Sequence, residues 1–168
     1  MTQFTIFSPP LDGKALVPGN RQTWGGFAGS ASALCIANCA KTYPGLVFVL
    51  TENSQQAQRL KAELEFFSKT EQLDKSFYLE EFPDWETLPY DNFSPHQDII
   101  SQRLDILSQL KTLDRGILIA SISTALHRLI PAAYLQSRSL AFSLGEEIDI
   151  HSLRLTLENA GYLNTDAV

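Results

Sequence analysis

Two short apolar runs, Leu46 to Leu50 and Ile117 to Ile122, the second broken by Ser121 alone, constrain this chain most. Successive side chains of a strand point to opposite faces, so each run reads as a strand covered on both sides, the habit of parallel sheets. The stretches around them have helical spacing instead. Ser30 to Tyr43 carries Leu34, Ala37 and Lys41 along one side before Pro44-Gly45 stops it. Asn53 or Ser54 can cap a following helix, whose Ala57, Leu60, Leu64 and Phe67 form one stripe. Thr23 to Ala28 and Ser76 to Leu79 read as further short strands, and Asp114-Arg115-Gly116 turns the chain into the second apolar run. Strand and helix therefore alternate. The expected fold is α/β: a three-layer parallel sheet with helices on both faces and right-handed crossovers.

The run from Phe82 to Asp98 fits no regular element, because Pro83, Pro89 and Pro95 remove backbone donors while Trp85, Tyr90 and Phe93 carry enough apolar area to pin a shaped loop onto a core. Ser94 reads as the cap of the next helix, Pro95 as its first residue and Gln97 as the capping-box partner, with Ile100, Leu104 and Leu107 following as far as Leu110. After the second apolar run the rhythm changes. Ser123 or Thr124 is expected to cap a short helix ended by Pro131, Ser139 to Leu144 to form a strand, and Asp149 to cap a helix from Ile150 to Ala160 closed by Gly161. The expected division is an irregular arm over 1–20, a sheet domain over 21–130 with its boundary near Ile130, and over 131–168 the beginning of a small α+β subdomain that continues past Val168. One strand and one helix bury too little to stand alone, so this last segment is expected to lean on the first domain or on a neighbouring molecule.

A formal charge of −6 argues against extensive contact with a DNA backbone, which needs Lys and Arg to displace counterions. Arg128, Arg138 and Arg154 read as solvated side chains. No apolar run has the length of a membrane span, and the N-terminus lacks the basic start and apolar stretch of a secretory signal, so a cytoplasmic protein without membrane contact is expected. Cys35 and Cys39, one helical turn apart, read as small reduced core residues in preference to zinc ligands, since no second cysteine pair exists. Asp84, Glu86, Asp91 and Asp98 surround a loop and a helix start, where acids favour solvent and the helix dipole over metal or acid–base work. His96, His127 and His151 lie in no nucleophile motif.

Gly26-Phe27-Ala28-Gly29-Ser30-Ala31-Ser32-Ala33 stands where a nucleotide-binding sheet carries G-x-x-x-x-G-K-[ST]. Aligned on Gly26, Ala31 replaces the final glycine, Ser32 the lysine that neutralises phosphate, and Ala33 the hydroxyl that holds magnesium. Gly26 and Gly29 then read as turn residues and Ser30 as a helix cap. No catalytic, metal or cofactor residue is expected. The rival is a nucleotide-binding ATPase domain with a deviant phosphate loop, which would need Arg21 or Lys14 to reach the phosphates.

The wording of Phe82-Pro83-Asp84-Trp85-Glu86-Thr87-Leu88-Pro89-Tyr90-Asp91-Asn92-Phe93-Ser94-Pro95-His96-Gln97-Asp98 resembles the N-terminal, UvrB-homology module of the bacterial transcription-repair coupling factors, Mfd. The likeness continues through Ile99-Ile100-Ser101-Gln102-Arg103-Leu104, the strand at Arg115-Gly116-Ile117-Leu118-Ile119 and Asn159-Ala160-Gly161-Tyr162. It implies a RecA-like domain with a degenerate phosphate loop, acting without catalysis in transcription-coupled nucleotide excision repair. It also implies recruitment of UvrA through a second domain and restraint of the parent's DNA translocase by contact with other domains of the same protein. ATP and magnesium would then belong to the parent's motor, and RNA polymerase and DNA to domains outside this chain. The UvrA-facing residues are expected mostly beyond Val168, with Tyr162 and Leu163 nearest to them. Relatives are expected to carry arginine beside the aromatic, and Leu163 departs from this.

Overall fold

The computed structural model describes residues 21, 23–70, 77–87, 90, 92–140, 142, 144–160 and 162. In chain order these form α1 (Ala31–Thr42), β1 (Leu46–Thr51), α2 (Ser54–Thr70), β2 (Tyr78–Phe82), α3 (Gln97–Gln109), β3 (Gly116–Ser121), α4 (Ile122–Ala125), α5 (Ala132–Arg138) and α6 (Ile150–Asn159). The chain divides into two compact units between Leu129 and Ile130.

In the first unit three parallel strands lie in the order β1-β3-β2, with Gly116 level with Leu46 on one side and Tyr78 on the other. All six residues of β3 are buried. Their alternation sends Ile117 and Ile119 to one face, against Ala33, Ala37 and Ala40 of α1 and Ala57 and Leu64 of α2. Leu118 and Ala120 face the other way, onto Phe82 and onto Ile106 of α3. Helices thus cover both faces of the central strand, and the alanines of α1 let that helix approach closely. Arg115 ties the end of α1 to the start of β3 by donating to the Ala40 carbonyl at 3.3 and 3.2 Å and to the Lys41 carbonyl.

Several expectations change. Among the described residues β1 is covered on one face only: Phe48 and Leu50 are each 52% exposed, and α3 packs across β2, leaving the β1 half of that face open beyond Leu46. β2 runs through Phe82 rather than ending at Leu79. Its acidic pair is tolerable at a sheet edge, where Glu80 meets Lys61 at 2.7 Å, and Phe82 anchors the end among Ile106 and Leu118. Residues 23–28 are exposed and form no strand. The helix expected from Pro95 begins at Gln97, and its cap is His96, whose Nδ1 accepts from the Asp98 amide at 3.3 Å, not Ser94. Asn53 does cap α2, accepting from the Gln56 amide at 2.9 Å.

α4 is capped by Ser121 rather than by Ser123 or Thr124, and Pro131 precedes α5 instead of ending a helix. In the second unit, none of the described residues 139, 140, 142 and 144 is in a strand. Asp149 caps α6 as expected, accepting from the His151 amide at 3.0 Å and from the Ser152 hydroxyl at 2.6 Å. Neither α5 nor α6 buries a residue, so the described part of this unit has no core of its own.

Gly116 is where the sheet tolerates least. Its φ of +151° favours glycine, and an added Cβ would lie 2.5 Å from the Tyr78 carbonyl oxygen. Gly116→Ala is expected to destabilise by about 1–3 kcal/mol, the usual effect of overpacking, read as a lower urea midpoint. An unchanged midpoint would mean that β2 and β3 can separate at this level without cost.

Candidate functional site

Gly26 and Gly29 adopt φ of +80° and +57°, bends that glycine enters without penalty, and no neighbour lies within 4 Å of where a Cβ would be. They are needed for chain direction and not for packing. The chain then enters α1, with the Ala31 amide donating to the Ala28 carbonyl at 3.2 Å and Leu34 to Ser30 at 3.1 Å. Ser30 occupies the capping position, yet its side chain makes no capping hydrogen bond. Its backbone (φ −83°, ψ 12°) departs from the extended conformation that aims a capping hydroxyl at the first amides. Ala31 and Ser32 are partly buried, and Ala33, fully buried, turns its methyl into the alanine-lined core. The places that would need an ammonium and a magnesium-holding oxygen therefore hold a hydroxyl and a buried methyl. This residue set does not fit a magnesium nucleotide.

The loop after β2 is organised by a residue that helical spacing did not single out. Arg103 of α3 is only 2% exposed. Its guanidinium carbon lies 4.2 Å from the centre of the Phe82 ring and 4.0 Å from that of Trp85, and Nη1 donates to the Pro83 carbonyl. Burial lowers the Arg103 pKa, and the nearby Asp84 carboxylate opposes that shift. Asp84 accepts from the Trp85 amide through Oδ1 at 2.7 Å and from the Ser123 hydroxyl through Oδ2 at 3.3 Å. Ser123 in turn lies 2.9 Å from the Ser121 hydroxyl, which accepts from the Thr124 amide at 3.2 Å and pairs with the Thr124 hydroxyl at 2.8 Å. The available signal was a cation within an apolar stripe, since Arg103 falls between Ile100 and Ile106.

Of the three aromatics expected to pin the loop, Trp85 alone does so. Tyr90 is 97% and Phe93 81% exposed, and the stacking site on Arg103 is taken by Trp85. The four carboxylates do not converge: Asp84 belongs to the network above, Asp98 faces His96 in the open at 3.4 Å, Glu86 is exposed, and Asp91 lies outside the described residues. Among the described residues, no group of three or more His, Cys, Asp or Glu could hold a metal ion. Cys35 and Cys39 are buried free thiols. In the second unit Tyr162 is exposed, its amide donating to the Leu157 carbonyl at 3.0 Å, while Leu163 lies outside the described residues. No described helix is long and apolar enough to cross a membrane.

The sheet and its glycine-bend loop define an α/β protein of the parallel-sheet class. No family model matches the chain. The chain is 39% identical over 150 residues, 89% of its length, to the transcription-repair-coupling factor of Escherichia coli K12, and 39% identical over 151 residues to that of Haemophilus influenzae Rd. The factor of Bacillus subtilis 168 is 24% identical across 98% of the chain. The chain belongs to the transcription-repair-coupling factor family. It spans 12% and 13% of the length of the first two relatives.

Burial, with the neighbouring Cys35 second, pushes the Cys39 thiol from 9.0 up to about 12, and burial with Glu80 and Asp105 pushes the Tyr78 hydroxyl from 10.0 up to about 12. Both groups bind their proton more tightly when folded, so their contribution to stability is complete below the ordinary values and is lost as pH rises through the folded ones. The urea midpoint should hold steady up to about pH 9 and fall between there and about 12. A midpoint that fell in the same way for Cys39→Ala and Tyr78→Phe would show that neither group carries the effect.

Proposed function

We propose that this chain is the non-catalytic N-terminal module of a transcription-repair coupling factor: a RecA-like domain with a degenerate phosphate loop, followed by the beginning of a UvrA-recruiting domain. The observation that carries this reading is 39% identity to two coupling factors over about nine tenths of the chain. The loop chemistry supports it, because Ser32 and the buried Ala33 replace the two groups a magnesium nucleotide requires. In this reading the module supports recruitment of UvrA through the unit after Leu129 and restrains the translocase motor of the parent protein. ATP, magnesium, DNA and RNA polymerase are engaged by other parts of that protein, in the cytoplasm. The second unit fits a role in docking: Tyr134, Phe142, Leu144, Ile150, Leu155 and Tyr162 are exposed there.

A chimera in which this chain replaces the matching 150 residues of the Escherichia coli factor tests the reading. It should retain UvrA on an affinity resin and keep its ATPase low in the absence of RNA polymerase. Deleting residues 131–168 from it should abolish UvrA retention. A folded chimera that neither holds UvrA nor restrains its motor would refute the assignment.

A further inference from the structure

Glu86 is the one non-glycine residue among the described ones with positive φ, at +57°. Left-handed backbone costs an L-residue free energy and persists where surrounding contacts over-determine it. Those contacts flank it directly. Arg103 cannot shed its proton, so its burial between Phe82 and Trp85 requires the Pro83 carbonyl and the Trp85 ring to stay in place. Asp84 faces two ways, holding the Trp85 amide with one oxygen and receiving the Ser123 hydroxyl with the other. From Ser123 the path runs through Ser121 to the Thr124 amide, with no step longer than 3.3 Å. The start of α4 and the loop after β2 therefore share one set of hydrogen bonds.

We propose that residues 83–87 form a latch in which the Trp85–Arg103 stack and the Asp84–Ser123–Ser121 chain couple closure of this loop to the capped start of α4. This does not depend on the coupling-factor assignment. When the loop opens, Trp85 joins the already exposed Tyr90 and Phe93, Asp84 leaves Ser123, and the cap of α4 loosens shortly before the chain passes into its second unit. A partner that captured the three aromatics would loosen α4, and linkage requires that loosening α4 favour the open loop by the same factor.

Amide hydrogen exchange on the full chain tests the coupling, with Trp85 reporting the loop, Thr124 the cap and Ile119 the sheet. Arg103→Lys keeps the charge but loses the planar stack. It should speed exchange at Trp85 and Thr124 by roughly tenfold, within the usual range of couplings, and leave Ile119 unchanged. Acceleration at Trp85 alone, at neither residue, or equally at all three would overturn the latch. The reverse arm uses Ser123→Ala, at an exposed position, and decides the question even if the first variant does not fold. Faster exchange at Trp85 is the expected result, and an unaltered rate there would overturn the proposal.

Discussion

Everything in the first unit depends on β3 being paired on both sides and covered on both faces. A strand in that position hides every backbone amide and carbonyl from water, so each must find a partner in β1 or β2. The two registers meet at Gly116, where Tyr78 approaches too closely for a side chain. The alternate residues of β3 then divide the core in two, with Ile119 facing the alanines of α1 and Leu118 facing Ile106. The far end of the strand is equally committed, for Ser121 leaves the sheet and caps α4 in consecutive steps. The loops at that end inherit their positions from the strand.

The second constraint is a buried cation. Arg103 stands inside the face that α3 presents to the sheet, where a charge without partners would be costly. Two rings and a carbonyl surround it: the Phe82 ring belongs to the last residue of β2, and the Pro83 carbonyl and Trp85 ring to the segment that follows. A loop rich in proline and acid, with little tendency to order itself, is thereby fixed by one side chain of a neighbouring helix. Tyr90 and Phe93, farther along the same loop, have no such anchor and remain in solvent.

Much of this was legible in the sequence. The apolar runs marked β1 and β3, the stripe from Ala57 to Phe67 marked α2, and Asp149 marked the start of α6, because each rests on local spacing or a local cap. What escaped rests on distant contacts. Phe48 and Leu50 are apolar but half-exposed, and that follows from α3 packing across β2, a tertiary choice that local spacing does not encode. β2 continues through Glu80 and Glu81 because Phe82 has a place in the core, which no propensity encodes. Ser94 and Ser30 are good capping residues by type, yet one lies outside the helix and the other has the wrong backbone angles to cap. The loop around Trp85 stands out in the sequence for its aromatics, while the residue that organises it, Arg103, lies twenty positions beyond Pro83 in a helix whose spacing does not mark it.

The glycine bends ahead of α1 combine chain reversal with a buried alanine where nucleotide chemistry would need an oxygen. On the proposed reading the chain does not engage a magnesium nucleotide. Isothermal titration with magnesium ATP, carried to roughly millimolar concentrations where only weak sites would respond, tests this most directly. The expected result is no saturable heat. Saturable binding that Ser32→Glu abolishes would contradict it and identify the loop as a working nucleotide site.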